Sequence, residues 1–250
     1  MQPLSLLLAA LFGATALAMP TSVDHEYSDL AQRDLDTNKF VDFILKYFPG
    51  KMAVQDACSI IGEGEKLLGN AFKINPNSNS NGCTDVTILF ARGTCDPGNV
   101  GVLVGPPFFS AVAQAIGGKS LSAQGIDYPA TVPGYLNADK AAGLTMAQKV
   151  RDTHAACPNT KIVISGYSQG GFAVHYAADA LGADMPEDIA AVIFGDPMSH
   201  KPVSNIDSSR VHVVCHPGDN ICDQGFLILP QHLTYAIDAK SSAAWLASKL

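Results

Sequence analysis

The pentapeptide from Gly166 to Gly170, with the sequence GYSQG, is the segment of this chain with the clearest capacity for chemistry. It matches the G-x-S-x-G pattern of a nucleophile elbow, in which a tight turn between a strand and a helix exposes a serine hydroxyl group. The preceding residues KIVIS predict a buried strand, and the following residues GFAVHYAADAL predict a helix. We therefore predict that Ser168 is a nucleophile. The alternative is an ordinary turn in which Ser168 only caps the helix.

The predicted turn also supplies a site for negative charge. A serine in such a strained turn needs small residues two positions away on either side, and Gly166 and Gly170 meet that need. Ser168 then lies at a helix N-terminus, where free backbone N–H groups and the helix dipole stabilise negative charge. We expect the N–H group of Gln169 to donate to an oxyanion.

A nucleophilic serine requires a histidine base, and in α/β-hydrolases the base follows the serine in the chain. We favour His232, which lies in a late loop just before the C-terminal helical segment. His200 and His216 lie in predicted loops and remain possible. His175 lies within the elbow helix and His212 in a predicted buried strand, which makes both poorly placed for catalysis.

A carboxylate must hold the base in one tautomer and orientation. Asp219 lies in the loop CHPGDNIC, directly after the predicted strand RVHVV. A bridge between Cys215 and Cys222 would make that loop rigid, which suits a catalytic acid. Asp196, in the segment FGDP, is the rival, and the alternative for Asp219 itself is a simple turn residue.

Strands alternate with helices along the rest of the chain, which is typical of a parallel sheet covered on both faces. We predict a single α/β domain from residue 34 to 250, with five strands and about five main helices. The predicted strands are 86–91, 125–128, 161–165, 190–194 and 210–214, and the predicted helices are 40–48, 54–72, 106–116, 139–156, 171–181 and 232–249.

Composition limits the possible partners. The chain has 250 residues, 47% of them hydrophobic, and a formal charge of −7 without a basic run, so we expect no nucleic-acid partner. Residues 1–18 predict a signal peptide that ends in Ala16-Leu17-Ala18, and residues 19–33 predict a propeptide or a flexible tail. No later segment is long and apolar enough to span a membrane. We therefore expect a secreted, extracellular protein and a monomer.

Six cysteines remain after the predicted cleavage site, and an even number in an oxidising compartment predicts three disulfide bridges, with fifteen possible pairings. No Cys-x-x-Cys pair occurs in the sequence, which argues against a zinc or redox site. We expect neither a metal nor another cofactor.

Four segments together resemble the fungal cutinases and their relatives. They are ARGTCDPGNVG from Ala91, SGYSQGG from Ser165, CHPGDNIC from Cys215 and PQHLTY from Pro230, so the resemblance begins at about residue 83. It implies a compact three-layer α/β-hydrolase fold around a five-stranded parallel sheet.

The resemblance also implies residue roles. Ser168, Asp219 and His232 match the nucleophile, acid and base of the family, and Thr94 joins Gln169 in the oxyanion hole. The alternative for Thr94 is a turn residue after the first strand. The family's bridges match Cys83–Cys157 and Cys215–Cys222, which leaves Cys58 and Cys95 to pair with each other, a departure from the simplest family pattern.

The resemblance further implies the substrate class. Cutinases bind acyl chains with an apolar loop that matches residues 225–230 here, and we expect Phe226, Leu227 and Ile228 to contact substrate together with Tyr167. The alternative is that half of this loop packs inward. We expect cleavage of polyester or short-chain esters, with plant cuticle or cell wall as the surface. An acetylxylan esterase is the second candidate, and a non-catalytic surface-binding or host-interaction protein is the third. The region before about residue 82 could cap the site or only brace the domain edge.

Overall fold

A computed structural model describes residues 35–80 and 82–250 of the chain. The five-stranded parallel sheet predicted for the fold is confirmed, with the strand order β3-β2-β4-β5-β6. A separate two-stranded antiparallel sheet joins β1 and β7. The strands are β1 (Met52–Ala53), β2 (Val86–Ala91), β3 (Leu121–Gly125), β4 (Lys161–Tyr167), β5 (Ala190–Phe194), β6 (Val211–Val214) and β7 (Leu227–Ile228).

Helices cover both faces of the five-stranded sheet. They are α1 (Thr37–Tyr47), α2 (Ala57–Phe72), α3 (Gly105–Ala115), α4 (Val132–Leu136), α5 (Ala141–Ala156), α6 (Gly170–Leu181), α7 (Pro230–Leu233) and α8 (Ala239–Ala247). Short 3₁₀ turns occupy Val54–Asp56, Gly182–Asp184, Ser208–Arg210 and Tyr235–Asp238. The predicted helix at residues 232–249 is therefore divided into α7, a 3₁₀ turn and α8.

The three layers follow from alternation along the buried strands. In β2, the side chains of Ile88 and Phe90 belong to a core that also contains residues of α1, α2, α3 and α8. The intervening Leu89 and Ala91 belong to a second core with residues of α5 and α6. Because both faces of the strand are buried, all six of its positions are apolar or small, except for Thr87.

The strand predicted at residues 125–128 is displaced in the structure. The edge strand β3 instead occupies Leu121–Gly125 and pairs in parallel with residues 86–90 of β2. Its sequence, LSAQG, has none of the β-branched and aromatic residues that are typical of strands, so the sequence pattern does not predict this strand. The serine-rich loop before β2 protects this edge, because the Ser78 hydroxyl group donates to the carbonyl group of Ala123.

The segment between the two N-terminal helices braces the loop that leads to His232. Met52 and Ala53 of β1 pair with Ile228 and Leu227 of β7, and the Val54 N–H group donates to the Phe226 carbonyl oxygen at 2.9 Å. The predicted signal peptide and tail lie outside the described residues. Within the described part of the chain, no helix is long and apolar enough to cross a membrane.

Candidate active site

Ser168 occupies a left-handed backbone conformation, with φ of 54°, at the turn between β4 and α6. The turn is so tight that a Cβ atom on Gly166 would lie 2.3 Å from the Gly170 carbonyl oxygen, and one on Gly170 would lie 2.0 Å from the Ala91 carbonyl oxygen. No side chain fits at either position. The geometry is that of the strained elbow predicted from the sequence.

His232 and Asp219 form a buried pair at the carboxyl end of the sheet. His232 Nδ1 lies 2.8 Å from Asp219 Oδ2, and both residues are about 1% exposed. Asp219 Oδ1 accepts the Ile221 N–H group at 3.0 Å, and Oδ2 accepts the Tyr235 hydroxyl group at 2.7 Å. Burial raises the pKa of Asp219, but the hydrogen bonds from His232 and Tyr235 outweigh it and leave that pKa below its ordinary value. Asp219 is therefore a carboxylate that fixes the imidazole orientation.

The loop that carries Asp219 is tied at both ends. Cys215 and Cys222 form a disulfide bridge across it, with a Cα–Cα distance of 6.1 Å. Inside the loop, the Asp219 N–H group donates to the His216 carbonyl oxygen at 3.0 Å. These constraints give Asp219 the rigid support that a catalytic acid needs. The other two bridges in the structure are Cys58–Cys95 and Cys83–Cys157.

Two residues beside the elbow seat the imidazole ring. The ring of Tyr167 stacks on His232 at a centroid distance of 5.1 Å, and its hydroxyl group donates to the His232 carbonyl oxygen at 2.9 Å. Gly195 also contacts the imidazole ring, because a Cβ atom on Gly195 would be 2.8 Å from His232 Cε1. Tyr167 is 2% exposed and contacts the histidine, so its expected contact with substrate stays a prediction. Sequence reasoning missed Gly195, although it directly precedes Asp196 in the segment FGDP.

A backbone hydrogen bond links the Ser168 turn to the segment that contacts the histidine. The Ser168 N–H group donates to the Phe194 carbonyl oxygen at 2.9 Å, and the next residue, Gly195, touches the imidazole. His232 Nε2 is buried and has no hydrogen-bond partner among the described residues, so it is not yet bonded to Ser168 Oγ. Catalytic hydrogen bonds are often long before substrate binds.

Thr94 Oγ1 and Gln169 Oε1 are among the buried polar side-chain atoms that have no hydrogen-bond partner within residues 35–80 and 82–250. Thr94 follows β2 in the loop that the Cys58–Cys95 bridge ties to α2, and Gln169 directly precedes α6. A buried hydroxyl group without a partner is unfavourable unless a ligand satisfies it. The free Thr94 hydroxyl group is thus available to a ligand, and its role in an oxyanion hole stays a prediction.

The rival residues have other partners. Asp196 Oδ2 lies 2.9 Å from His175 Nε2, and this buried pair leaves Asp196 engaged away from His232. His216 Nε2 lies 2.6 Å from Asp238 Oδ2, and the hydrogen bond with Asp238 raises the pKa of His216 above its ordinary value. His212 lies in the edge strand β6, and its ring stacks on that of Trp245. His200 is exposed.

The apolar loop before His232 presents only part of its length to solvent. Phe226 is 51% exposed and meets the ring of Tyr135 edge to face, at a centroid distance of 6.3 Å. Leu227 is half-buried, and Ile228 is 3% exposed within the main core. Alternation along β7 turns Ile228 inward, so the surface available to an acyl chain is narrower than the sequence suggests.

Groups of three or more His, Cys, Asp or Glu side chains that could hold a metal ion do not occur in the described part of the chain. The site consists instead of the Ser168 hydroxyl group, an imidazole, a carboxylate and the unpartnered Thr94 hydroxyl group. That set suits nucleophilic attack on a carbonyl group, followed by stabilisation of the oxyanion.

Comparisons with known proteins give consistent results. The family model for cutinase matches residues 82–250. Cutinase cut1 of Trichoderma harzianum is 46% identical over 247 residues, which cover 98% of each chain. A cutinase of Botryotinia fuckeliana is 51% identical over 165 residues, which cover 65% of this chain and 82% of that one.

Solved structures agree with the sequence relatives. Trichoderma reesei cutinase in complex with a C11Y4 phosphonate inhibitor matches with a TM-score of 0.74 and 44% identity, covering 85% of this chain and 97% of that one. The catalytic core domain of acetyl xylan esterase from Trichoderma reesei matches with a TM-score of 0.53 and 21% identity, covering 68% of this chain and 100% of that one. The second match shows a shared fold alone.

Proposed function

Because this chain belongs to the cutinase family, whose members are carboxylic ester hydrolases, we propose that it is a secreted serine esterase that cleaves polyester or short-chain esters through an acyl-enzyme on Ser168. The observation that carries this proposal is the buried Asp219–His232 pair, whose Nε2 atom is free and whose imidazole contacts Gly195, the residue after the one that accepts the Ser168 N–H group. No step of the chemistry calls for a group other than these side chains, the backbone and water.

The proposed reaction has two halves. His232 Nε2 takes the proton of Ser168 as the serine oxygen attacks the ester carbonyl carbon, and Asp219 stabilises the imidazolium that forms. The Gln169 N–H group and Thr94 bind the developing oxyanion. Collapse of the tetrahedral intermediate returns the proton to the leaving alcohol and leaves Ser168 acylated. Water activated by His232 then hydrolyses the acyl-enzyme and regenerates the serine.

Secretion is supported by the covalent structure. All six cysteines are paired in bridges, which is typical of proteins from oxidising compartments. We propose that residues 1–18 are a signal peptide, that residues 19–33 form a propeptide or tail, and that residues 34–250 form the esterase domain. The expected substrate surface is plant cuticle or cell wall.

The acyl specificity follows from the loop before His232. Phe226 is exposed beside Tyr135, and Leu227 is half-buried next to it, so a linear acyl chain would gain apolar contact there. Burial of one methylene group contributes about 0.8 kcal/mol. This favours short and medium acyl esters over acetyl esters. Acetylated xylan remains the second candidate substrate.

Initial rates on cutin, on acetylated xylan and on p-nitrophenyl esters of increasing acyl length test this proposal. We expect kcat/KM to rise from acetyl to butyryl by a few-fold per methylene, which about 0.8 kcal/mol implies. Leu227→Ala should flatten that rise and leave acetyl turnover nearly unchanged. Highest activity on acetyl esters, without release of hydroxy fatty acids from cutin, would transfer the assignment to acetylxylan esterase. No ester hydrolysis at all would favour a non-catalytic surface-binding protein.

A further inference from the structure

Two carboxyl groups that the proposed mechanism does not use are buried beneath the oxyanion loop. Glu65 projects from α2 and is 0% exposed, and Asp96 follows Thr94 by two residues and is 5% exposed. Glu65 Oε2 accepts the Val102 N–H group at 2.9 Å, and Asp96 Oδ2 accepts the Gly93 N–H group at 2.8 Å. Charged residues are rarely buried in this way unless they are paired.

The two carboxyl groups lie close together, because a Cβ atom on Gly101 would be 2.6 Å from Asp96 Oδ2 and the next residue, Val102, donates to Glu65 Oε2. Two carboxyl groups can share a hydrogen bond only if one of them carries a proton. Glu65 Oε1 is buried and receives no hydrogen bond from an N–H group or a hydroxyl group of the described residues, so it is the oxygen left to carry that proton. A proton on Oε1 would allow Glu65 to donate to the Asp96 carboxylate.

Charges and titratable groups around the pair keep the proton on Glu65. Burial raises the pKa of Glu65 well above its ordinary value, and the charge of Asp96 raises it further. Burial also raises the pKa of Asp96, but the hydrogen bonds from Glu65 and Gly93 and the charge of Arg92 oppose that rise. The remaining groups that face the pair are His232, which lowers the pKa of Asp96, and the neutral phenols Tyr128 and Tyr167.

The pair is connected directly to the oxyanion loop. Asp96 Oδ2 accepts from Gly93, the residue before Thr94, and the Arg92 side chain donates to the Asp96 carbonyl oxygen at 2.9 Å. The neighbouring Cys95 has φ of 63° and is bridged to Cys58, which also lies on α2. Helix α2 thus meets the loop at two points, at the Cys58–Cys95 bridge and at the Glu65 carboxyl group beside Asp96.

We propose that Glu65 is a positioning residue, which in its protonated form and through Asp96 holds Gly93 and Thr94 in the geometry that binds the oxyanion. The inference rests on the proposed function, since it needs Thr94 to stabilise an intermediate. Loss of the proton leaves two negative charges side by side in the interior, with one nearby guanidinium group to balance them. The Asp96 carboxylate then loses its donor and is repelled, and the oxyanion loop loses its support.

The expected kinetic effect is on kcat rather than on KM, because the oxyanion exists only in the reacting complex. Glu65→Leu removes the donor to Asp96 and should lower kcat by at least about tenfold, short of the 10²–10³ lost with a whole oxyanion donor. Glu65→Gln keeps a donor toward Asp96 and an acceptor for Val102, so it should recover most of that loss. Glu63→Gln, an exposed substitution two residues away, is the matched control.

The pH profile separates positioning from simple packing. The wild type should lose kcat on the alkaline side as the pair gives up its proton, and Glu65→Gln, which cannot ionise, should lack that decline. The Glu63→Gln control should keep the wild-type profile. The comparison of Glu65→Gln with the wild type does not depend on how well Glu65→Leu folds.

Stability provides a second readout. Because the folded-state pKa of Glu65 is raised, its contribution to stability is complete below about pH 4.5 and is lost as the pH rises toward the folded-state value. Across that window the unfolding equilibrium constant of the wild type should rise by up to about tenfold per pH unit relative to Glu65→Gln.

The outcomes are distinct. An active wild type with identical kcat–pH profiles for wild type and Glu65→Gln would overturn the inference and leave the esterase proposal intact. An increase in KM with unchanged kcat in the Glu65 variants would overturn it as well. A wild type without ester hydrolysis would refute the proposed function itself. A decline in kcat at alkaline pH that occurs in the wild type but not in Glu65→Gln would support the positioning role.

Discussion

The Tyr235 hydroxyl group donates a 2.7 Å hydrogen bond to Asp219 Oδ2, the same oxygen that lies 2.8 Å from His232 Nδ1. Tyr235 is completely buried, and its own oxygen accepts the His216 N–H group at 2.9 Å. The acid of the proposed triad is therefore oriented by a phenol as well as by the backbone. This gives the PQHLTY segment two tasks, because it carries both the base and a donor to the acid.

Tyr235→Phe should lower kcat about tenfold or more, since a hydrogen bond to a charged group contributes roughly 1.5–3 kcal/mol. The ring remains, so the packing against His216 is retained, while Asp219 loses one of the donors that set its orientation. Steady-state kinetics on a soluble ester measure the effect. Tyr47→Phe, at an exposed position on α1, is the control and should match the wild type. An unchanged kcat in Tyr235→Phe would show that the remaining contacts suffice.

Gly195→Ala should reduce turnover strongly, because the added Cβ atom would lie 2.8 Å from His232 Cε1 and 3.0 Å from Nδ1. The backbone φ of 60° is a second reason why a side chain is disfavoured there. Gly50→Ala, which meets no atom within 4 Å, should behave as the wild type. Comparison of kcat and melting temperature for the two variants tests this, and a fully active Gly195→Ala would contradict the tight seat described for His232.

Asp219→Asn should decrease kcat by up to about 10⁴-fold, because an amide favours the wrong imidazole tautomer. Asp196→Asn is the matched substitution at the rival carboxylate, which pairs with His175 instead, and its kcat should change little. Rates of the two purified variants on one p-nitrophenyl ester decide between them. The reverse order of effects would assign the acid role to Asp196.

The His216–Asp238 ion pair should stabilise the folded protein mainly at acidic pH. The hydrogen bond with Asp238 raises the pKa of His216 above 6.5, so its stabilisation is complete below that pH and is lost as the pH rises through the folded-state value. Asp238→Asn should therefore lower the melting temperature more at about pH 5 than at about pH 9. Thermal unfolding at both pH values checks this, and an equal loss at both would exclude an electrostatic origin.

Local sequence patterns predicted the elements that depend on neighbouring residues. The elbow around Ser168 is specified by a strand, two glycines and a helix within one short segment, and the structure places it there. The acid and base could be selected by chain order and loop context, and the structure brings Asp219 and His232 together.

Features that depend on packing between distant segments could not be predicted in this way. Gly195 matters because His232, from a different loop, packs on its Cα atom. Glu65 lies on a helix whose periodicity gives no indication that one carboxyl group faces another across the oxyanion loop. Ile228 turns inward because β7 pairs with β1, a contact between segments about 175 residues apart in the chain.

The most direct test of the account is the mass of the protein after reaction with a fluorophosphonate probe, compared with Ser168→Ala. The wild type should gain one adduct, located on the peptide that contains Ser168, and should lose its esterase activity in parallel. Ser168→Ala should gain no adduct, keep its fold by circular dichroism and lose about 10⁴-fold or more in turnover. An adduct on another residue, or near-wild-type turnover by Ser168→Ala, would contradict the assignment of Ser168 as the nucleophile.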